Sequence, residues 1–86
     1  MAVDTQTLRS ELRQFVIDSF LIGDENASLG DAESFMRSGI IDSTGILELT
    51  SFLEQKYGVT VEDNEMVPTN LDSIDNLVGY LSRKLG

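Results

Sequence analysis

The chain contains no cysteine and no histidine. Disulfides, thiolate or imidazole zinc sites, a haem axial histidine and Ser/His or Cys/His nucleophilic dyads are therefore excluded together. Positive charge is also scarce: six Lys and Arg stand against fifteen Asp and Glu, a formal net charge of -9. A polyanion of that size is repelled by nucleic acid phosphates and by anionic lipid, so the partners to expect are proteins with basic surfaces. Long apolar runs are missing as well, the longest being the three residues Phe15 to Ile17 and Phe20 to Ile22. Neither a membrane span nor a secretory leader is expected, and the cytoplasm is the expected compartment. A single proline and a 41% hydrophobic share suit a globular chain with a modest core. At 86 residues, one domain spanning 1–86 is expected.

Hydrophobic spacing predicts three long helices. Leu8, Leu12, Phe15 and Val16 share one arc of the first, with Asp4 or Thr5 as its cap. The second runs from Ser43 to about Tyr57, with Ile46, Leu49, Leu53 and Tyr57 on one face, Phe52 flanking and Gly58 placed as a C-cap. The third carries Leu71, Ile74, Leu77, Val78, Leu81 and Leu85, with Asp72 as cap and Arg83 and Lys84 in the last turn. Between the first two lies a long loop rich in Gly, Asn, Asp and Ser, with a short helical turn expected inside it and Leu21, Leu29 and Phe35 reaching back to the core. Val59 to Val61 could pass for a strand, but no partner strand is visible, and a connector with one helical turn around Glu62 to Met66 is preferred. The predicted fold class is all-α: a small four-helix bundle, three long helices plus one short, with a long loop between helices 1 and 2.

Catalysis would have to be assembled from carboxylates, hydroxyls and amines. The acid pairs Asp24 with Glu25 and Asp31 with Glu33 are most simply solvated loop charges, and a bundle this small offers little cleft for a glycosidase. Each glycine placed at the sixth position of an EF-hand loop leaves apolar residues at ligand positions, Phe20 and Ile22 in the case of Gly23. No metal site is expected.

The segment with chemical content is Gly39-Ile40-Ile41-Asp42-Ser43-Thr44-Gly45, where a serine sits at a loop-to-helix junction. The plain reading is an N-cap, since Asp or Ser before an apolar period is how helices begin. Beside it stands a functional reading, because free amides and the positive end of the helix dipole tolerate a phosphodiester on Ser43. Thr44, Leu47, Glu48 and Ser51 fall on the outward face, where Leu47 is an apolar residue ringed by Glu48 and Glu54. From Asp42 to Ser82 there are eight acids and one base, Lys56, so a basic partner is steered to this half.

The Asp42-Ser43 pair of Gly39-Ile40-Ile41-Asp42-Ser43, before an amphipathic helix, resembles the phosphopantetheine attachment motif of acyl carrier and peptidyl carrier proteins, G-x-D-S with an apolar position after it. The similarity spans nearly the whole chain: its length, acidity and long first loop, Glu48-Leu49, Tyr57-Gly58-Val59 and the Asn70-Leu71-Asp72-Ser73-Ile74 entry to the last helix. The resemblance implies a monomer that is not an enzyme. Ser43 would receive 4'-phosphopantetheine from coenzyme A through a phosphopantetheinyl transferase, and the prosthetic thiol would carry an acyl or aminoacyl group as a thioester. An acyl- or aminoacyl-loading ligase and downstream synthases of a fatty acid, polyketide or nonribosomal-peptide-like pathway would dock through basic surfaces on Asp42, Thr44, Leu47, Glu48 and Glu54. Thr44 stands where these families commonly have Leu, and Gly45 where an acid is frequent. Those differences point away from docking on the enzymes of primary fatty acid synthesis. The Phe35 to Gly45 run and the Asn70 to Ile74 entry look more like the specialised, freestanding carriers associated with adenylating ligases and nonribosomal or polyketide-like pathways. The alternative is an unmodified acidic helical adaptor that binds a basic protein through the Leu47 face.

Overall fold

Asp4 opens the first helix, α1 (Thr5–Phe20), by accepting the Gln6 N–H at 3.0 Å and the Thr7 hydroxyl at 2.9 Å. These two donors, the hydroxyl first, hold its carboxyl below the usual range. In the computed structural model, residues 4–21 and 30–85 are described. The expectations on Gly23, on the Asp24–Glu25 pair and on Leu29 lie outside those residues. Leu8, Leu12 and Val16 of α1 are buried as the spacing predicts, while Phe15 is half-buried at the edge of the core.

The chain continues through the short α2 (Phe35–Ser38), α3 (Ser43–Tyr57), a 3-10 turn (Asp63–Glu65), α4 (Pro68–Leu71) and α5 (Ile74–Leu85). All regular structure among the described residues is helical, and three of the helices are long. The core joins α1 (Leu12, Val16), α3 (Leu49, Leu53) and α5 (Leu77, Leu81), with Phe35 of α2 inserted between them. Burying such side chains is worth roughly 1.5–3 kcal/mol each, which lets helices this short persist. Among the described residues, helix-to-helix packing is most extensive for α4 on α5 and α1 on α5. No helix among the described residues is long and apolar enough to cross a membrane.

The short elements carry the surprises. The helical turn expected in the first loop is α2, and its Phe35 is fully buried. The turn expected around Glu62 to Met66 is the 3-10 segment, closed by a capping box in which Glu65 accepts from the Glu62 N–H at 2.9 Å. That bond, with those from Lys84 and Tyr80, lowers the Glu65 carboxyl. The last helical stripe, however, is two helices. Pro68 starts the four-residue α4 at a position where a missing N–H costs nothing, and the chain turns again before α5. Asp72 therefore does not cap the last helix. It follows α4, and the Ser73 hydroxyl takes the capping role by accepting from the Asn76 N–H at 3.1 Å.

Candidate functional site

Asp72 is freed from capping to do something else. Its carboxylate accepts from the Ser34 hydroxyl and from the Met36 N–H (3.0 Å), and its carbonyl accepts the Phe35 N–H at 2.8 Å. One residue at the α4–α5 junction thus clasps the start of α2. Ser34 in turn caps α2 by accepting the Arg37 N–H at 3.1 Å, and Gly39 ends it with a φ of 78°, the left-handed conformation that glycine adopts without strain. The N–H groups of Ile40 and Ile41 both point at the Phe35 carbonyl, at 3.0 and 3.3 Å. Ile41 is buried, so the chain is pinned on both sides of the turn that leads into α3.

Asp42 is the N-cap of α3: its carboxylate accepts the Gly45 N–H at 2.7 Å and its carbonyl the Ile46 N–H at 3.0 Å. Ser43 is the first helical residue and is exposed. Its own N–H and that of Thr44 belong to the first turn, whose amides have no carbonyl partner within the helix. The expected helix start is therefore present with Asp42 as the cap, and of the amides that follow Ser43, those of Gly45 and Ile46 are taken up by Asp42.

Gly45 explains one departure from the usual sequence pattern. It is buried, and a Cβ there would lie 2.9 Å from the Phe20 ring, 2.9 Å from Ile41 Cγ2 and 3.3 Å from the Asp42 carboxylate. The end of α1 rests directly on the first turn of α3 at this glycine. Position 45 is a packing position in this chain, with no room for an acidic side chain.

Beside Ser43 a pocket of about 220 Å³ opens between α2, α3 and α4, lined by Met36, Ile46, Met66, Val67, Pro68 and Leu71, with Ser43 and Asp72 at its polar edge. Met36 and Val67 are exposed apolar residues on this rim. The sequence pattern marks Ser43 and Ile46 but not the opposite wall. Met66 to Leu71 have no period of their own, and Asp72 is diagnosed only by partners 36 and 38 positions away. The apolar Met66-Val67 pair against a proline, in a stretch otherwise acidic, was the available signal.

The remaining predicted residues separate. Thr44, Leu47 and Glu48 are exposed along the outer side of α3, and Leu47 is 59% exposed. Glu54 is also exposed, but its carboxylate accepts the Val61 N–H at 3.0 Å and so supports the connector after α3. Asp42 is engaged in its cap. Among the described residues, Arg37 on α2 is an exposed cation with no ion pair, one residue from the pocket wall at Met36. Asp31 pairs with Arg9 at 3.0 Å and with Arg13, so it belongs to the scaffold.

No family model matches the chain. Among curated proteins it is 31% identical over 78 residues to the acyl carrier protein of Petrotoga mobilis, covering 91% of this chain and 87% of that one. It is 32% identical over 78 residues to polyketide-8 synthase acyl carrier protein 2 of Streptomyces avermitilis, covering 91% and 85%. A third relative, the probable acyl carrier protein PigG of a Serratia strain, is 28% identical over 76 residues, 88% of this chain and 86% of that one.

Proposed function

Since the chain belongs to the acyl carrier protein family, we propose that it carries its acyl or aminoacyl group on a 4'-phosphopantetheine arm attached through Ser43. The observation that carries this reading is the placement of the Ser43 hydroxyl: exposed, first in α3, and opening onto the pocket between α2 and α4. The residues fit such a group. The first-turn amides and the helix dipole favour a phosphodiester on Ser43, and the apolar rim of Met36, Ile46 and Val67 suits the methyl-bearing part of an arm. When attached, the group supplies a thiol for the thioester, which this cysteine-free chain lacks.

The chain's own contribution is presentation. Asp42 fixes the start of α3, and Ile41 and Phe35 fix the turn before it, so Ser43 is held at a defined point on the surface. Thr44, Leu47 and Glu48 then form a docking face for a transferase, a loading ligase and synthases with basic surfaces. Docking of this kind is brief and weakened by salt, which allows one partner to replace another. Glu54 acts at the margin of this face. The chain works in the cytoplasm as a monomer, in a pathway of the polyketide or nonribosomal-peptide kind; the polyketide synthase carrier among its relatives supports that choice.

Incubation with coenzyme A and a broad-specificity phosphopantetheinyl transferase should add one phosphopantetheine to the intact mass, and Ser43→Ala should abolish the addition. Modification persisting in that variant overturns the assignment. The reading as an unmodified adaptor rests on the exposure of Leu47. It predicts the same partner affinity for wild type and Ser43→Ala with no change in mass.

A further inference from the structure

The two flanks of α1 differ in what they present. Arg9 and Arg13 lie on the flank with Asp31 and Asp75, while Glu11, Gln14 and Asp18 lie beside Phe15 on the flank that meets α3. There Phe15 stacks on Phe52 with ring centres 3.9 Å apart and planes 12° from parallel. Phe20 meets Phe15 edge-on at 6.0 Å, and Tyr57 meets Phe52 edge-on at 6.2 Å. All four rings are only half-buried, so an apolar ridge reaches solvent between α1 and α3. Open grooves of about 490 and 310 Å³ flank the ring pair, the first running towards Leu47 and Glu48, the second bordered by Glu11, Asp18 and Lys56.

The charge around this ridge decides what can cover it. Among the described residues neither Asp18 nor Glu48 forms an ion pair, and Asp18 accepts from the Gln14 amide at 2.9 Å. The one base, Lys56, is 3.6 Å from Glu11 and is thereby occupied. A second copy of a chain with net charge -9 would be repelled. The occupant that matches has apolar side chains for the grooves and cations for their rims.

We propose that the Phe15–Phe52 seam is a docking surface for a basic amphipathic helix of a partner protein. An aromatic or leucine side chain of that helix seats beside the ring pair, and its Lys or Arg residues reach Asp18 and Glu48. Phe52 lies nine residues after Ser43, which at about 100° per residue is half a turn around α3 and about 13 Å along it. A helix seated beside the ring pair therefore lies away from the Ser43 hydroxyl but shares Leu47 and Glu48 with the docking face proposed above, so the two modes of binding compete. The surface does not depend on whether Ser43 is modified.

Titration of the unmodified full chain with a helical peptide of about 18 residues made of Leu, Phe and Lys, followed by backbone amide shifts, tests this. Shifts should concentrate at residues 11–18 and 48–56. Asp18→Lys with Ser51→Arg should weaken binding at least about fivefold, whereas Asp63→Lys with Asn64→Lys, an equal charge change elsewhere, should alter it less than about twofold. Shifts centred on α2 and Ser43, equal weakening by both double variants, equal binding of a peptide with every Lys replaced by Gln, or seam shifts that appear on concentrating the chain alone would each overturn the proposal. The same titration on Ser43→Ala should match wild type, so failure here is distinct from failure of the mass test.

Discussion

Along α1, the flank that packs on α5 and the flank that meets α3 carry opposite chemistry. The α5 side is closed: buried leucines form the contact, and the Arg9 and Arg13 ion pairs to Asp31 and Asp75 seal its margin. The Asp75 N–H also donates to the Asp31 carbonyl at 2.8 Å, which ties the end of the first connection to the start of α5. The α3 side is propped apart by rings, lined by grooves and left with unmatched acids. One helix thus forms a closed wall on one side and a half-open, acidic seam on the other. Burial sets stability at the first, and at the second the docking proposed above would be set by charge.

The contrast can be broken most forcefully at the closed side. Leu81→Ala removes a fully buried side chain of α5 and should cost about 2–5 kcal/mol in urea unfolding. Phe52→Ala at the half-open seam should cost less than Leu81→Ala, although its side chain is larger. An equal or greater loss would mean that the ring pair is a core element.

Gly45→Ala probes the one point where the open side is tight, since the added methyl must displace Phe20 or Ile41. A loss of about 1–3 kcal/mol is expected, and an unchanged denaturation midpoint would show that the end of α1 yields freely.

Alkaline titration sharpens the comparison further. Burial, then the Glu65 hydrogen bond and charge, pushes the Tyr80 hydroxyl up to about 12. Burial, then Glu11, pushes Tyr57 higher still. Both hydroxyls keep their protons longer in the folded chain than in the unfolded one. Their contribution is fully present below about pH 10 and is lost as pH rises towards 12 and beyond. Unfolding midpoints should fall over that range, and Tyr80→Phe should flatten the decline. The smallest effect is expected from Arg9→Gln, at most about 1 kcal/mol and shrinking with added salt, because its pairs are partly exposed. A larger loss would promote the ion pairs from margin to foundation.

The long helices were legible because each repeats its apolar residues over three or more turns and carries local end signals, Asp4 at one start and Gly58, with a φ of 71°, at one finish. The junction at Asp72 was not. Four-residue α4 is too short for a period, and the local preference of Asp for helix starts lost to a tertiary demand from Ser34 and Met36. The site divides in the same way. Ser43 and its cap sit within one contiguous motif, whereas the pocket wall comes from three separated segments. Gly45 read as a missing acid because nothing local indicates that Phe20, 25 positions earlier, lies against it.

The grip of Asp72 on α2 makes the room beside Ser43 adjustable from its opposite wall. Asp72→Asn keeps an oxygen for the Met36 amide while altering the tie to Ser34. Remodelling what fits at that edge need not touch Ser43 or the outer side of α3. On the reading proposed above, cargo fit and partner docking rest on different segments, Asp72 at the α4–α5 junction and Thr44, Leu47 and Glu48 on α3.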